Sequence, residues 1–428
     1  MSGLRRAVAS GVLAVLAALI GLGAGCTLAT AQTPPTAPIQ PGSQLAVYVI
    51  TLGQGDQVWE RYGHNALWIH DPVRGTDRTY NWGVFDASGP QFILRFIRGR
   101  MRYWLESVDV DRLMAFYRAA DRTIIVQRLA LSPTQAASLQ EFVEWNAREE
   151  NKYYWYDYFR DNCSTRLRDA IDRALGGAIR SATAGETTTN TYRSESIRLM
   201  EGMPLTQAGI MLGLGPLTDR PLSEWEEMFV PMRMRDRLRE LRIHSPDGTL
   251  IPLVAEERQV YVARRPAELQ QAPSLLGRYA IVGLIVALVI AGAGILAQSV
   301  ASAPFAAVAS AWGWITGVGG VLLLFLWLAT HHIFAYRNEN LFQLNPLAVV
   351  VGVVAPLAVY RPRLRSLAWL FGAVAVASAL LGTLLKPIPG FEQENWPIVV
   401  AVLPSHVAVA WTLRRLARVA HARGVTHS

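Results

Sequence analysis

The sequence predicts an α+β extracytoplasmic domain followed by an all-α transmembrane bundle of five helices. Two observations lead to this fold class. The chain of 428 residues is 51% hydrophobic and only 17% charged, a balance that indicates membrane segments. Beyond residue 44 long apolar runs begin only near residue 279, whereas residues 45–270 mix short strand-like runs with helical patterns. These two patterns predict two domains in that order.

Local patterns within residues 45–270 predict four strands and two helices. The strands are predicted at 45–52, 65–70, 79–85 and 123–131. A Ser-Pro pair at Ser132 predicts a capped helix that continues to about Asn146. A second helix is predicted to begin near Cys163 and to end at Gly176-Gly177. Residues 180–270 have weak periodicity and carry no predicted element.

Five apolar runs follow, each near the length that crosses the hydrocarbon layer of a bilayer. They are predicted at about 279–297, 304–329, 345–360, 366–385 and 396–413. Arginines cluster in the loop at 361–365 and in the tail at 414–428, which the positive-inside rule assigns to the cytoplasm. The prediction is therefore a protein of the bacterial inner (cytoplasmic) membrane, with its N-terminal domain outside and its C-terminus inside.

Residues 1–31 have the pattern of an export signal. Arg5 and Arg6 precede an apolar run, and Ala29-Thr30-Ala31 provides the small residues of a cleavage site. An uncleaved anchor and a lipoprotein attached through Cys26 are the alternatives. Residues 32–44 are predicted to be a proline-rich linker.

Composition and motifs argue against several other classes of protein. The net charge is +8, but many arginines flank apolar runs and form no basic stripe, so we predict no nucleic-acid partner. The sequence contains neither H-x-x-x-H nor H-E-x-x-H, and it has no glycine-rich phosphate loop. We therefore predict no metal and no cofactor. No feature of the sequence predicts an oligomeric state.

Cys163 is the single cysteine outside the predicted signal, so the exported chain cannot form an internal disulfide. Asp161-Asn162 is a capping pattern, which puts Cys163 in the first turn of a helix. Free backbone N–H groups and the positive end of the helix dipole meet there, so we expect the thiolate to be favoured over the thiol. The same N–H groups are suited to an acyl oxyanion. The alternative is a structural cysteine in the core.

A cysteine nucleophile needs a base, and His64 is favoured over His70 and His244. His64 begins a predicted strand, from which an imidazole can reach a helix N-terminus packed across the sheet. His70 shares its strand face but lies at the exit of the strand. Asn81, on the next strand, is suited to orient the imidazole. A core or surface histidine and a purely structural Asn81 are the alternatives.

Aromatic residues are dense around these positions. Most are expected to be core, and lining an acyl pocket or lying at the membrane interface are the alternatives. We name Tyr62, Trp82, Asp161 and Asn162 as candidates to bind substrate or to support the site.

Three stretches of the sequence carry a family resemblance. They are G-D-Q-V-W-E-R-Y-G-H-N-A-L-W-I at 55–69, Y-N-W-G-V-F-D at 80–86 and Y-D-Y-F-R-D-N-C-S-T-R-L-R-D-A-I-D at 156–172. They resemble the periplasmic domain of the Lnb family, bacterial transacylases that make lyso-form lipoproteins. The histidine-before-cysteine order is similar to the permuted branch of the papain-like superfamily, which implies a permuted papain-like fold. The resemblance implies that Cys163 is the nucleophile, His64 the base and Asn81 the orienting residue.

The loop between the second and third predicted spans also resembles this family, through Thr330-His331-His332, Asn338-Glu339-Asn340-Leu341 and N-P-L at 345–347. We predict this loop on the outer side and name His332, Asn338 and Asn340 as further candidates to bind substrate or support the site. Contact with a lipid headgroup and docking of the extracytoplasmic domain are both open, and a plain interfacial loop is the alternative.

Together these features predict a membrane-bound thiol acyltransferase that moves an acyl chain on lipid or lipoprotein substrates through a Cys163 acyl-enzyme. Membrane spans beside the site suit a substrate that resides in the bilayer. The alternatives are a cysteine hydrolase of peptidoglycan amides or lipid esters and a non-catalytic envelope assembly protein.

Overall fold

The structure, a computed structural model, describes residues 40–88, 90–245, 247–299 and 302–425. The signal predicted at 1–31 and most of the linker predicted at 32–44 lie outside these residues. From Gly42 onward the chain forms one unit, which contains both a sheet domain and a helical region.

The N-terminal domain is organised around one antiparallel sheet. Its strands are β1 Ala46–Leu52, β2 His64–Asp71, β3 Thr76–Val84, β4 Met101–Asp109, β5 Ile124–Leu129 and β6 Tyr153–Tyr156, with a later edge strand at Val254–Tyr261. β7 Arg242–His244 and β8 Leu250–Pro252 form a separate hairpin, and the edge strand Val254–Tyr261 is β9. The order across the sheet is β6-β4-β3-β2-β1-β5-β9. The central strands are therefore β3, β2 and β1, which carry His64 and Asn81.

Helices cover this sheet, and they are α1 Pro90–Ile97, α2 Val110–Ala119, α3 Pro133–Asn146, α4 Cys163–Ala174, α5 Ala178–Thr183, α6 Tyr192–Leu199, α7 Pro204–Gly213, α8 Glu224–Glu227 and α9 Pro231–Glu240. Successive strand residues point to opposite faces, so β2 contributes to two cores. Leu67 of β2 packs in the larger core with Leu167 of α4. Ala66 packs on the opposite face with Leu113 of α2.

The predicted α+β character of this domain is confirmed. All four predicted strands and both predicted helices are present, with boundaries that differ by up to three residues. Ser132 caps α3, with Pro133 as its first residue, and Asn162 caps α4. The sequence did not predict β4, β6 or β9, or the short helices between 178 and 240. These elements lack a long periodic run of their own.

The helical region contains α10 Leu276–Ser299, α11 Ala303–Ala329, α12 Ala348–Tyr360, α13 Arg365–Leu384 and α14 Trp396–Val425. Four segments of the described chain are long and apolar enough to cross a membrane, namely Leu276–Ala297, Ala303–Ala329, Pro362–Leu384 and Trp396–Arg418. The run predicted at 345–360 forms α12, which has 13 residues. At about 1.5 Å per residue α12 is about 20 Å long, shorter than a hydrocarbon layer of about 30 Å. The structure thus has four candidate membrane spans, where the sequence predicted five.

A polar, largely non-helical segment at 330–347 joins α11 to α12, and part of it lies against the sides of the other helices. Asn345 Nδ2 donates to Ser378 Oγ at 3.1 Å, and Gln343 Nε2 donates to the Ala379 carbonyl at 3.1 Å. Both partners lie inside α13, about 8–9 Å before its end at about 1.5 Å per residue. Non-helical backbone beside apolar helices is stable only where protein groups satisfy it. Here Ser378 Oγ donates to the Phe342 carbonyl and His406 Nε2 binds the Gln343 carbonyl, each at 2.9 Å.

Candidate active site

Cys163 is the first residue of α4, and its turn is fixed by Asn162. Asn162 Oδ1 accepts hydrogen bonds from the backbone N–H groups of Ser164 and Thr165, each at 2.9 Å. The Asn162 N–H donates in return to Thr165 Oγ1 at 2.8 Å. The Asn162 amide also donates to the carbonyl of Phe229 at 3.0 Å, which ties the turn to the segment before α9. Asn162 is therefore a capping residue whose polar atoms are occupied.

Asp161 forms a pair with Arg166 one turn further along α4. Arg166 Nη2 donates to Asp161 Oδ2 at 2.8 Å, and the guanidinium also lies 3.8 Å from the centre of the Tyr154 ring. This pairing holds the carboxylate on the outer side of the turn, where it supports the start of α4.

The thiol of Cys163 lies against the backbones of two strands. The backbone N–H of Asn65 on β2 lies near enough to the sulfur to act on the pKa of the thiol and lower it. On β3, Gly83 has a φ of +97°, and a Cβ at that position would lie 3.3 Å from the Cys163 Cβ. A glycine therefore suits both the backbone conformation and the close approach. The cysteine is partly buried and keeps some accessible surface.

Burial raises the pKa of the Cys163 thiol, although the N–H groups of Asn65 and Ser164 and the charge of Arg122 act in the opposite direction. The expectation that the helix N-terminus favours the thiolate at rest is thus wrong. Its physical basis is present, because backbone N–H groups do reach the sulfur, but desolvation outweighs them.

His64 is the first residue of β2 and Asn81 lies on β3. His64 Nε2 and Asn81 Oδ1 are 3.4 Å apart, a long hydrogen bond, and the imidazole stacks against Tyr117 of α2 with ring centres 6.2 Å apart. Burial, reinforced by the charge of Arg122, lowers the pKa of His64 to about 4 despite the contact with Asn81. At neutral pH the imidazole is therefore uncharged and able to accept a proton.

The surroundings of Asn81 fix which nitrogen of His64 carries the hydrogen. Thr79 Oγ1 donates to the Val108 carbonyl at 3.0 Å, so it accepts from Asn81 Nδ2 at 3.1 Å. Asn81 must then present its oxygen to the imidazole, and an oxygen accepts only from a protonated Nε2. The lone pair of the neutral ring is consequently on Nδ1.

The predicted residues come together in part. His64 and Asn81 are in contact, and the N–H of Asn65, the residue that follows His64, acts on the pKa of the Cys163 thiol. Within the described residues no hydrogen bond joins the imidazole to the thiol. Catalytic hydrogen bonds are often long in the absence of substrate and shorten in the complex.

Arg122 is a site residue that the sequence did not reveal. It is buried, its Nε donates to the Gly53 carbonyl at 2.8 Å, and its guanidinium lies 4.7 Å from the centre of the Tyr117 ring. Its charge acts on both His64 and Cys163. It lies in a turn without any motif, so only the folded arrangement brings it to the site.

Trp82 and Tyr62 belong to the packing around the site. Trp82 is 1% exposed and its Nε1 donates to Asn146 Oδ1 at 2.9 Å, so it presents no surface to a substrate. The Tyr62 ring packs near Phe229, and burial raises its pKa to about 12. For both residues these contacts favour the core interpretation.

The 330–347 segment contacts the sheet domain at several places, two of which involve predicted site residues. His332 Nε2 donates to the Phe96 carbonyl at 2.8 Å, and its Nδ1 accepts from the Tyr158 hydroxyl at 2.6 Å. Asn338 Nδ2 donates to the Leu212 carbonyl at 2.7 Å, and Asn340 Nδ2 to that of Met211 at 2.8 Å.

We call the second contact the docking junction, and define it by the residues Met211–Leu214, Asn338–Asn340, Lys386 and Gln393. Its polar groups are bound to one another, with Glu339 Oε2 accepting from Lys386 Nζ at 2.6 Å. Asn338 Oδ1 accepts from Gln393 Nε2 at 3.2 Å. Since these side chains are used to join the two domains, the docking interpretation of Asn338 and Asn340 is favoured over substrate binding.

The fold and the site together define a membrane-associated protein with an N-terminal α+β domain that carries a cysteine, a histidine and an asparagine around the end of one sheet. Residues 39–196 match the family model of the Lnb N-terminal periplasmic domain, a range that contains Cys163, His64 and Asn81. The chain thus carries an Lnb-type periplasmic domain, and the family resemblance is confirmed. No curated protein and no solved structure matches the chain.

Proposed function

We propose that this protein is a membrane-bound thiol acyltransferase that forms an acyl-enzyme on Cys163 and takes its acyl chain from a lipid or lipoprotein ester. The observation that carries the proposal is the position of a partly exposed cysteine on the first turn of α4, against the two strands that hold His64 and Asn81. The family match adds a lipoprotein context.

The reaction starts from a neutral thiol and a neutral imidazole. As the sulfur attacks the ester carbonyl, its proton passes to Nδ1 of His64 and a tetrahedral oxyanion forms. The backbone N–H of Cys163 is the donor suited to this oxyanion, because those of Ser164 and Thr165 are occupied by Asn162. The carbon–oxygen bond of the ester then breaks, and the leaving alcohol takes the proton from His64.

The second half of the reaction returns the enzyme to its starting state. An amine or hydroxyl acceptor attacks the thioester and gives its proton to His64. The carbon–sulfur bond breaks, and the thiolate recovers that proton. Asn81 keeps Nε2 protonated throughout and so holds the same ring nitrogen toward the reaction.

Mass spectrometry tests the proposal with the full-length protein in membranes. Incubation with a lipid donor is expected to add one acyl chain to Cys163, and an added amine is expected to remove it as an amide. Lipoprotein N-termini from cells with and without the protein should differ by the same acyl transfer. Release of the chain only as free fatty acid would identify a hydrolase. If lipoproteins in cells carrying Cys163→Ala are processed as in wild-type cells, only a non-catalytic role remains.

The proposal includes a membrane arrangement with five crossings in the bacterial inner membrane. The fifth crossing consists of α12 extended by the buried part of the 330–347 segment, whose amides bind α13. Arg361, Arg363, Arg414 and Arg415 then lie on the cytoplasmic side. A C-terminal alkaline phosphatase fusion is expected to be inactive and a green fluorescent protein fusion to fluoresce, whereas the reverse result would contradict five crossings. We also propose that the sheet domain has a permuted papain-like fold.

A further inference from the structure

The helix α1 has an apolar face that the rest of the described chain leaves uncovered. Ile93 and Phe96 are 62% and 51% exposed, and Leu94 and Ile97 are also exposed. One residue of the helix is turned inward, since the Phe92 ring stacks on Phe85 with centres 5.5 Å apart. An eight-residue helix with four exposed large apolar side chains requires a partner that is not water.

The position of α1 is fixed by the end of a membrane helix. The His331 N–H donates to the Arg98 carbonyl at 2.9 Å, and His332 Nε2 binds the Phe96 carbonyl at 2.8 Å. A Cβ at Gly99 would lie 2.8 Å from the His331 backbone, so the two segments are in direct contact. α11 ends at Ala329, only two residues before His331, and its Leu328 is 75% exposed. The apolar face of α1 therefore lies beside the exposed end of a candidate membrane span.

Charged residues near α1 also indicate a membrane surface. Arg95, Arg98 and Arg100 lie on or directly after α1 and are exposed. None of the three pairs with a carboxylate within the part of the chain that the structure describes. Apolar residues flanked by exposed arginines are typical of a helix that lies in the headgroup region of an anionic membrane.

Aromatic rings lead from α1 to the thiol. Phe85 contacts Phe92 and also packs 4.8 Å from Tyr103, which stacks on Tyr156 at 4.1 Å. Phe85 lies two residues beyond Gly83, whose backbone touches Cys163. Burial raises the pKa of Tyr103 to about 12 and the charge of a Cys163 thiolate adds to the effect, so the phenol is within electrostatic range of the sulfur. These rings form a continuous run of aromatic contacts from the helix to the neighbourhood of the nucleophile.

We propose that α1 inserts its exposed face into the outer surface of the bilayer, and that the acyl chain of the donor passes along Phe92, Phe85 and Tyr103 to reach Cys163. This inference rests on the proposed function for the chemistry at Cys163, but the contact of α1 with lipid stands on its own. The partner is a phospholipid surface that contains anionic lipid. It follows that the donor need not leave the membrane completely before it reacts.

Quenching by brominated lipid tests the membrane contact without any catalysis. An environment-sensitive fluorophore is attached to Ile93→Cys in the full-length chain whose Cys26 and Cys163 are alanine, in vesicles of phosphatidylethanolamine and phosphatidylglycerol. Replacing part of the lipid by brominated phospholipid should lower the fluorescence by about twofold or more. The matched control is Val73→Cys, also exposed but in the β2–β3 turn, which should not change. Equal quenching by brominated lipid at the two positions would overturn the inference and indicate that protein covers α1.

Kinetics test the route of the acyl chain. The double variant Ile93→Asp, Phe96→Asp should lose about tenfold or more of its acyl transfer from vesicle lipid, because charged residues resist insertion. It should keep its activity toward a water-soluble short-chain ester within about twofold. The control Val73→Asp, Val262→Asp should retain both activities.

The outcomes separate the two proposals. Equal losses on both substrates would mean damage at the site, and no loss on either would mean that α1 has no role in donor entry. Both results contradict this inference while leaving the acyltransferase intact. If the wild-type protein forms no Cys163 thioester with either substrate, the proposed function fails instead, and the quenching result still decides the membrane contact.

Discussion

The candidate active site and the docking junction are both buried polar regions, but they satisfy their polar groups differently. At the junction, Asn338, Glu339, Asn340 and Lys386 are hydrogen-bonded to carbonyls or to one another. At the site, Asn65 Oδ1 and Arg122 Nη2 are buried without a hydrogen-bond partner within the described residues. An unsatisfied buried polar atom costs stability, so it persists where something other than stability is selected. The polar groups of the junction hold the two regions together, whereas the site retains two polar atoms without a hydrogen-bond partner.

The largest expected effect comes from the nucleophile. Cys163→Ser keeps the size and the cap of α4, but a hydroxyl beside a neutral imidazole is a much weaker nucleophile, so acyl transfer should fall by roughly 10³-fold or more. Stability should change by less than about 1 kcal/mol, since no packing is lost. Thioester trapping and thermal unfolding measure the two quantities. Substantial activity in this variant would show that the sulfur is not the nucleophile.

The docking junction should show the opposite pattern. Asn340→Leu removes an amide that donates to two carbonyls, those of Met211 and Leu212, and leaves both buried. The expected loss is about 2–4 kcal/mol in the free energy of unfolding. The pH dependence of the remaining folded enzyme should be unchanged. Glu392→Ala, at an exposed position in the loop between α13 and α14, is the control, and equal stability of the two variants would contradict the role assigned to the junction.

The pH dependence tests the neutral resting pair. Because the pKa of His64 is lowered to about 4, kcat/KM should hold as pH falls through 6 and decline only near pH 4. The unfolded histidine titrates near pH 6.5, so the unfolded state binds more protons in between, and stability should decrease as pH falls from about 6.5 toward 4. Arg122→Met should move the acid limb of kcat/KM upward, whereas Arg122→Lys should leave it in place. An acid limb near pH 6.5 in the wild-type protein would contradict the buried neutral imidazole.

The smallest effects should come from the residues that orient the imidazole. Asn81→Ala should lower kcat by roughly 10- to 100-fold, since the ring loses the acceptor for Nε2–H. Thr79→Val leaves Asn81 able to flip and should lower kcat by roughly threefold to tenfold with little change in KM. Thr79→Ser restores the hydroxyl and should recover the activity. If Thr79→Ser is as slow as Thr79→Val, the hydroxyl does not act through Asn81.

The same comparison shows what the sequence could predict. The cap at Asn162 and the start of a helix at Cys163 are local features, read from adjacent residues, and the structure confirms both. The protonation of Cys163 was not predictable, because desolvation depends on β2 and β3 packing over the thiol. Arg122 was missed for the same reason. It joins the site through contacts with Gly53 and Tyr117, and no motif marks it.

In the membrane region, too, the sequence predicted local features but not those that depend on packing. Apolar composition predicted the long helices, because hydropathy is a local sum. The run at 345–360 looked like a short span, yet the helix itself begins only at Ala348. The polar residues before Ala348 adopt an irregular backbone conformation, which contacts with α13 and α14 stabilise. His406 of α14, for example, binds the Gln343 carbonyl at 2.9 Å. Such backbone cannot be recognised without its neighbours.

The edge strand β9 has a consequence for how the protein is made. It pairs Glu257 with Gln127 on β5, so the sheet gains its last strand from chain that follows all the periplasmic helices. During synthesis, the domain cannot be completed until Tyr261 has emerged, shortly before the first candidate membrane span, Leu276–Ala297, follows. A secreted fragment that stops at residue 196 would present β5 as a bare edge prone to self-association, whereas one that extends past Tyr261 would bring its own partner.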